Sequence, residues 1–312
     1  MKNDMILILG VTASGKGKLA FELAKQIGAE IISIDSMKVY RRMDIGTAKP
    51  PQEARRIVSY HLIDIVEPDE SFSAGMFLKA ANASIEEIKG RNKSIVAVGG
   101  TAFYIKALLY GLFEGPGSDS SIRSQLKQQA AQFGLEKLHE QLRQIDPVSA
   151  DRIHPNDEKR IIRALEVYQL TGSPISGFQQ QWGKEPAPVS QNWKIIGLQS
   201  DKTLENQRIN SRVKKIIDSG LIDEVKALLS EEKPLSKQAR CAIGYAEIID
   251  YLEGKIGLDD AIEQIKINTR RLAKHQRTWF KRFKNVHWLE IKPDELPENI
   301  FERLKVLSEA IY

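Results

Sequence analysis

The sequence has one cysteine in 312 residues, Cys241, so no internal disulfide can form and a reducing compartment is expected. No apolar run approaches the roughly 18 residues of a membrane span, so no membrane association is expected. The first apolar run starts at Met5, which leaves no room for a signal peptide and points to the cytoplasm. No internal repeat or low-complexity stretch stands out. Charge of one sign is not in large excess: the net charge is +5 and the pI about 9.0, which by itself indicates only solubility. Clustering of that charge is the better sign of a polyanionic partner. What is present is ordinary globular material, 42% hydrophobic, long enough for one large domain or a core with an insertion.

The most informative stretch is Gly10-Val11-Thr12-Ala13-Ser14-Gly15-Lys16-Gly17. It follows the apolar run Met5 to Leu9 and opens into Leu19 to Ala24, which has helical spacing. Strand, glycine loop and helix are the context of a phosphate-binding loop. Glycines let successive N–H groups turn inward, the helix N-terminus adds its positive end, and Lys16 places a charge on the outer phosphates. The spacing G-x-x-x-x-G-K is complete, but Gly17 stands where Ser or Thr supplies a hydroxyl to magnesium.

Downstream, Glu30 to Ile34 reads as a buried strand ending in Asp35-Ser36-Met37-Lys38. Functional groups collect at the carboxyl ends of strands in open α/β sheets, so Asp35 is a candidate general base or metal partner; capping of the next turn is its other reading. Thr47 and Lys49 lie in a loop from which they could touch an anion. His61 to Ile65 suggests a short strand, with His61 structural. A helix over Phe77 to Ile88 leads to a strand at Ser94 to Val98, then Gly99-Gly100-Thr101 and a helix from Phe103 to Leu109. This alternation predicts a parallel sheet. From about Phe113 to Asn192 the segments are helical and polar, punctuated by Pro147, Pro155 and Pro174 and closed by Pro186-Ala187-Pro188. The fold expected is α/β, a P-loop core of residues 1–112 and 193–312 with a helical insertion at 113–192.

Trp193 to Leu198 resumes a strand, and the remainder reads as helices over Leu204 to Ile217, Leu221 to Leu229, Ala239 to Leu252 and a long last one from Leu258. In that last helix Arg270, Lys274, Arg277 and Lys281 share one face, with Ile265, Leu272, Trp279 and Phe283 opposite. Lys266 to Lys284 contains eight Lys or Arg residues and no acid, which suits either a phosphate backbone or a solvated face.

Taken in order, these stretches resemble the tRNA dimethylallyltransferases, also called tRNA isopentenyltransferases. The matching segments include Thr12 to Lys16, Asp35-Ser36-Met37, Met43 to Lys49, His61 to Asp64 and Gly99-Gly100-Thr101. Others are Arg163 to Glu166, Arg208-Ile209-Asn210, Ala242 to Tyr245 and Arg270 to Phe280. The resemblance implies transfer of a dimethylallyl group from dimethylallyl diphosphate to N6 of the adenosine just 3′ of the anticodon, in tRNAs reading codons beginning with U. It implies that residues 10–17 hold the diphosphate, that Asp35 takes the N6 proton and that Thr101 positions the reacting groups. It further implies that Ser36, Met37 and Lys38 meet the tRNA near the target base. Arg123, Lys159, Arg160 and Arg163 of the insertion, and Arg270, Lys274, Arg277 and Lys281 of the last helix, are implied to grip the anticodon arm. Mg2+ is the implied cofactor, and the enzyme is expected to be a monomer.

Several positions depart from the family pattern. Gly17 lacks the hydroxyl, Lys38 replaces a glutamine, Ala102 a glycine, Tyr60 a histidine, Lys202 an arginine and Ala246 a lysine. Two other readings therefore stay open: a tRNA-binding paralogue impaired in catalysis, and a small-molecule kinase using ATP at the same loop.

Overall fold

A computed structural model describes residues 4–112, 115–179, 192–293 and 295–310. Met5-Ile-Leu-Ile-Leu-Gly10 forms β1 (Met5–Gly10), buried at every position, and turns at Gly15 into α1 (Lys16–Ile27). The chain continues as β2 (Glu30–Ile34), α2 (Gln52–Ile57), β3 (Tyr60–His61), α3 (Ala74–Gly90), β4 (Ile95–Gly99) and α4 (Ala102–Tyr110). Then come α5 (Ser120–Phe133), α6 (Leu135–Ile145), α7 (Pro147–Arg152), α8 (Glu158–Thr171) and α9 (Ile175–Phe178). The last part is β5 (Trp193–Ser200), α10 (Lys202–Asp218), α11 (Leu221–Leu229), α12 (Lys237–Arg240), α13 (Tyr245–Leu252), α14 (Leu258–Phe280), β6 (Val286–Ile291) and α15 (Pro297–Ala310).

The chain divides into two compact units, Met1–Leu109 with Ser190–Tyr312, and Tyr110–Val189. In the first, the described strands form one parallel sheet in the order β3-β2-β4-β1-β5-β6. Strands buried on both faces read as continuous apolar runs rather than alternating ones, as β1, β2 and β4 do. Ile6, Ile8, Val96, Val98, Ile196 and Leu198 pack with Leu19 and Leu23 of α1 and with Ile300 and Leu304 of α15. Gly99 ends β4 so close to β2 that a Cβ there would overlap the Ile34 carbonyl. That approach sets the turn at 99–101 beside Asp35.

The second unit has its own core, with Leu126, Leu138, Leu142, Ile161 and Leu165 buried together. Glu166 is fully buried there and accepts bonds from the Asp119 amide (2.7 Å), Arg123 (2.8 and 3.0 Å) and Arg163 (2.7 Å). The expected edges of this unit at Phe113 and Pro186-Ala187-Pro188 lie outside the described residues.

Three sequence expectations need correction. The strand at His61 to Ile65 shrinks to Tyr60–His61, because Leu62 and Asp64 adopt left-handed backbone (φ 63° and 56°) and Asp64 turns to bind Lys49 and Arg55. The helix over Ala239 to Leu252 is two helices, parted at Gly244 with φ 94°. The chain after α14 is not helical throughout: β6 adds a parallel edge strand to β5 before α15. Of its residues only Leu289 and Ile291 are buried, so it has little apolar signature.

Candidate active site

The loop from Gly10 to Gly17 closes on itself through the Ser14 amide, which donates to the Val11 carbonyl at 3.2 Å. Ala13 and Gly15 both take positive φ (61° and 84°), the curl that turns amides inward. The first-turn amides of Lys16 and Gly17 have no carbonyl behind them and are open to an anion. Lys16 Nζ donates to the Val11 carbonyl at 3.0 Å, bending back over the loop. Thr12, Ala13, Gly15, Lys16 and Gly17 line a cavity of about 880 Å³; Ser14 is buried away from it, its hydroxyl without a partner among the described residues.

Asp35, just beyond β2, enters the same cavity. Its Oδ1 accepts from the amides of Met37 (2.8 Å) and Lys38 (3.2 Å), so the carboxylate caps the turn and is fixed by it. The capping reading of Asp35 is met at Oδ1, and Oδ2 has no partner among the described residues. Thr101 Oγ1 accepts from the Ser36 amide at 3.1 Å, joining the ends of β2 and β4. Ser36, Met37, Lys38 and Thr101 all line the cavity.

Lys16, Lys38 and Arg212 surround this one carboxylate. Burial lowers the Lys16 ammonium to about 7, with Arg212 and Lys38 pushing the same way and Asp35 opposing. Burial likewise lowers Lys38 and Arg212, again opposed by Asp35. Phe103 of α4 and Leu272 and Trp279 of α14 supply an apolar wall. Leu272 is 39% exposed, so it does not join the core stripe expected for it; its exposed side faces the cavity.

Thr47 and Lys49 also touch the cavity, but their polar groups are committed. The Thr47 hydroxyl donates to the Met43 carbonyl at 2.6 Å. Lys49 Nζ is held by the Tyr40 carbonyl, Asp44 and Asp64, each at 2.5 Å. Neither is available to an anion, which corrects their reading as anion contacts. Glu224 of α11 fixes the same loop, accepting from the amides of Asp44, Ile45 and Gly46 and from the Tyr245 hydroxyl (2.6 Å).

With this geometry in view, comparison with known proteins is decisive. A family model described as IPP transferase matches residues 38–283. The chain belongs to the IPP transferase family. A tRNA dimethylallyltransferase from Geobacter metallireducens is 47% identical over 291 residues, covering 93% of each chain. The solved tRNA isopentenylpyrophosphate transferase of Bacillus halodurans is 38% identical, with a TM-score of 0.70 over 99% of this chain and 97% of its own. A eukaryotic dimethylallyltransferase acting on tRNA has a TM-score of 0.77 at 28% identity, over 92% of this chain and 74% of its own.

For an IPP transferase the basic residues expected at the tRNA divide into two groups. Arg123 and Arg163 clamp the buried Glu166, and Arg163 also donates to the carbonyls of Pro116 and Gly117. Arg270 bonds Asn210 at 2.8 Å and pairs with Glu263 at 3.5 Å, while Arg277 pairs with the buried Glu205 of α10. Arg160 makes an exposed pair with Asp157 at 3.2 Å. Lys159, Lys274 and Lys281 are exposed, with no ion pair among the described residues. The face on α14 is thus partly a helix-packing seam with α10, not wholly a cationic surface.

Two site residues escaped sequence reasoning. Gln276 reaches both glycine turns: its Oε1 accepts from the Thr12 amide and its Nε2 donates to the Gly100 carbonyl. The only signal was an uncharged residue amid the basic stretch of α14. Arg212 was one of several cations in α10, with nothing to single it out.

The donor set does not suit a divalent cation held by the protein. Magnesium is commonly held through one or two carboxylates together with substrate phosphates, and among the described residues lining the cavity Asp35 is the only carboxylate, with Oδ1 already committed to two amides. Position 17 offers no hydroxyl, and Ser14 is closed off. Among the described residues, no group of three or more His, Cys, Asp or Glu could hold a metal.

Proposed function

We propose that this IPP transferase moves a dimethylallyl group from dimethylallyl diphosphate to N6 of the adenosine 3′ of the anticodon, in tRNAs reading codons beginning with U. The observation that carries this is the union, in one cavity, of an amide cradle for a diphosphate, a single oriented carboxylate and an apolar wall. The names of the curated relatives and of the solved neighbours support it.

In the reaction, the N6 lone pair attacks C1 of the dimethylallyl group. The C1–O bond breaks and its electron pair leaves on the diphosphate. Loop amides and Lys16 stabilise the charge that builds there. Oδ2 of Asp35 accepts the N6 proton, while the two backbone bonds to Oδ1 keep the carboxylate aimed. Thr101, at the end of the second glycine turn and joined to the Ser36 amide, positions the reacting groups. The target base must leave its stack to reach the cavity. The exposed cations Lys159, Arg160, Lys274 and Lys281 are the side chains freest to meet anticodon-arm phosphates. The enzyme acts as a monomer in the cytoplasm, a location in keeping with the tRNA-modifying activity named for its relatives.

The test is mass spectrometry of nucleosides from tRNA incubated with the protein, dimethylallyl diphosphate and magnesium. Prenylated adenosine is expected. Bound but unmodified tRNA would instead indicate an impaired paralogue.

A further inference from the structure

The cavity carries more positive charge than its own chain neutralises. Lys16 comes from α1, Lys38 from the turn after β2 and Arg212 from α10, three elements far apart in sequence. All three line one cavity with one carboxylate between them. Lys16 has only the Val11 carbonyl as a hydrogen-bond partner; the side chains of Lys38 and Arg212 have none among the described residues. Burial is what most disfavours the charged form of each; neighbouring cations add to it at Lys16 and Lys38, and Asp35 is the one acid that opposes it at all three. Such a cluster is relieved by a multiply charged anion entering among them.

The same cavity lacks what would anchor a divalent cation, as shown above. The missing hydroxyl at position 17 is not a matter of space, since a Cβ built there meets nothing within 4 Å. Loss of a metal contact and presence of surplus fixed cations are two sides of one arrangement. We infer that this enzyme neutralises the bound and departing diphosphate with Lys16, Lys38 and Arg212 in place of a protein-anchored magnesium ion, so that donor binding is largely independent of magnesium. The inference rests on the cavity being a prenyl diphosphate site. In the reaction, the electron pair of the breaking C1–O bond comes to rest on an oxygen already surrounded by these three groups, and no further reactant is required.

The experiment is calorimetric titration of the full chain with dimethylallyl diphosphate, in excess EDTA and in excess magnesium. Wild-type affinity is expected to differ by less than about threefold between the two, well inside one charge-assisted bond. Lys38→Gln is expected to lose about tenfold in EDTA and to regain most of it with magnesium, the size of one charge-assisted hydrogen bond. Arg212→Gln provides the same comparison if Lys38→Gln does not fold. Gly17→Thr, for which there is room, is expected to make binding respond to magnesium. A wild-type gain of about tenfold or more on adding magnesium overturns the inference while leaving the diphosphate site intact. Lys38→Gln and Arg212→Gln proteins that bind like wild type in EDTA overturn it as well. Absence of binding under both conditions overturns the reading of the cavity itself.

Discussion

The side-chain oxygen of Gln276 lies 2.8 Å from the Thr12 amide nitrogen, so the long helix α14 holds the glycine loop between β1 and α1. The nitrogen of the same side chain donates to the Gly100 carbonyl at 2.9 Å. One buried amide group therefore sets the spacing between the loop after β1 and the turn that carries Thr101. A Cβ at Gly100 would overlap Gln276, so the turn must be glycine for the clasp to close.

Gln276→Met keeps the bulk and removes both bonds. It is expected to lower kcat by up to about 100-fold through misplacement of reacting groups, while tRNA affinity stays near wild type. Steady-state kinetics beside tRNA binding measure the split. An equal loss in both would reduce Gln276 to a folding role.

Asp35→Ala should slow single-turnover prenyl transfer by roughly two to four orders of magnitude, the range for loss of a general base. The affinity for tRNA should change little. If binding falls as far as the rate, Asp35 does not act as the base.

The Lys16 ammonium, lowered to about 7 by burial and by Arg212 and Lys38, gives the donor site a pH dependence. Bound diphosphate favours the protonated form and raises its pKa. Affinity is therefore full below pH 7 and declines as pH rises above it, by up to about tenfold per unit. Lys16→Arg stays charged throughout and removes this component. The ratio of wild-type to variant dissociation constants, followed from pH 6 to 9, checks it, and a flat ratio would contradict it.

Salt dependence of tRNA binding distinguishes free cations from paired ones. Lys274→Ala and Lys281→Ala should each reduce the slope of log affinity against log salt by about 1 if each meets one phosphate. Arg277→Ala should act through stability instead, because its partner Glu205 is buried. Unchanged slopes for both lysines would mark that end of α14 as merely solvated.

Glu30 is buried between His61, Arg91 and Lys93. Burial pushes its carboxyl up, but the bonds from Arg91, His61 and Lys93 outweigh it and hold it at about 2. The unfolded chain therefore takes up this proton first as pH falls. The stabilisation is present above about pH 4.5 and is lost towards pH 2. Glu30→Gln should cost about 2 kcal/mol near pH 7 and progressively less in acid, as read by urea denaturation.

The central sheet was legible because buried parallel strands leave continuous apolar runs: β1, β2, β4 and β5 sit where Met5 to Leu9, Glu30 to Ile34, Ser94 to Val98 and Trp193 to Leu198 pointed. The turn between β1 and α1 was legible because its glycines and lysine have fixed spacing. His61 was rightly structural, bonded to Glu30 at 2.7 Å. What stayed hidden depended on partners distant in sequence. Nothing near Lys49 says that Asp64 will share its charge, and nothing near Arg277 says that Glu205 waits on α10. Edge strand β6 hid for a related reason, since an edge needs few apolar residues.

The clasp of Gln276 on Thr12 also bears on how the protein comes into being. In chain order the loop comes before the second unit, whereas β5, the clasping helix and β6 come after it. Between them lies the second unit, whose core is built from nearby helices and so closes quickly. A nascent chain stopped before Gln276 carries the whole glycine-lysine motif yet lacks the brace that shapes it. The shape of the glycine loop therefore depends on a side chain 264 residues further along the chain.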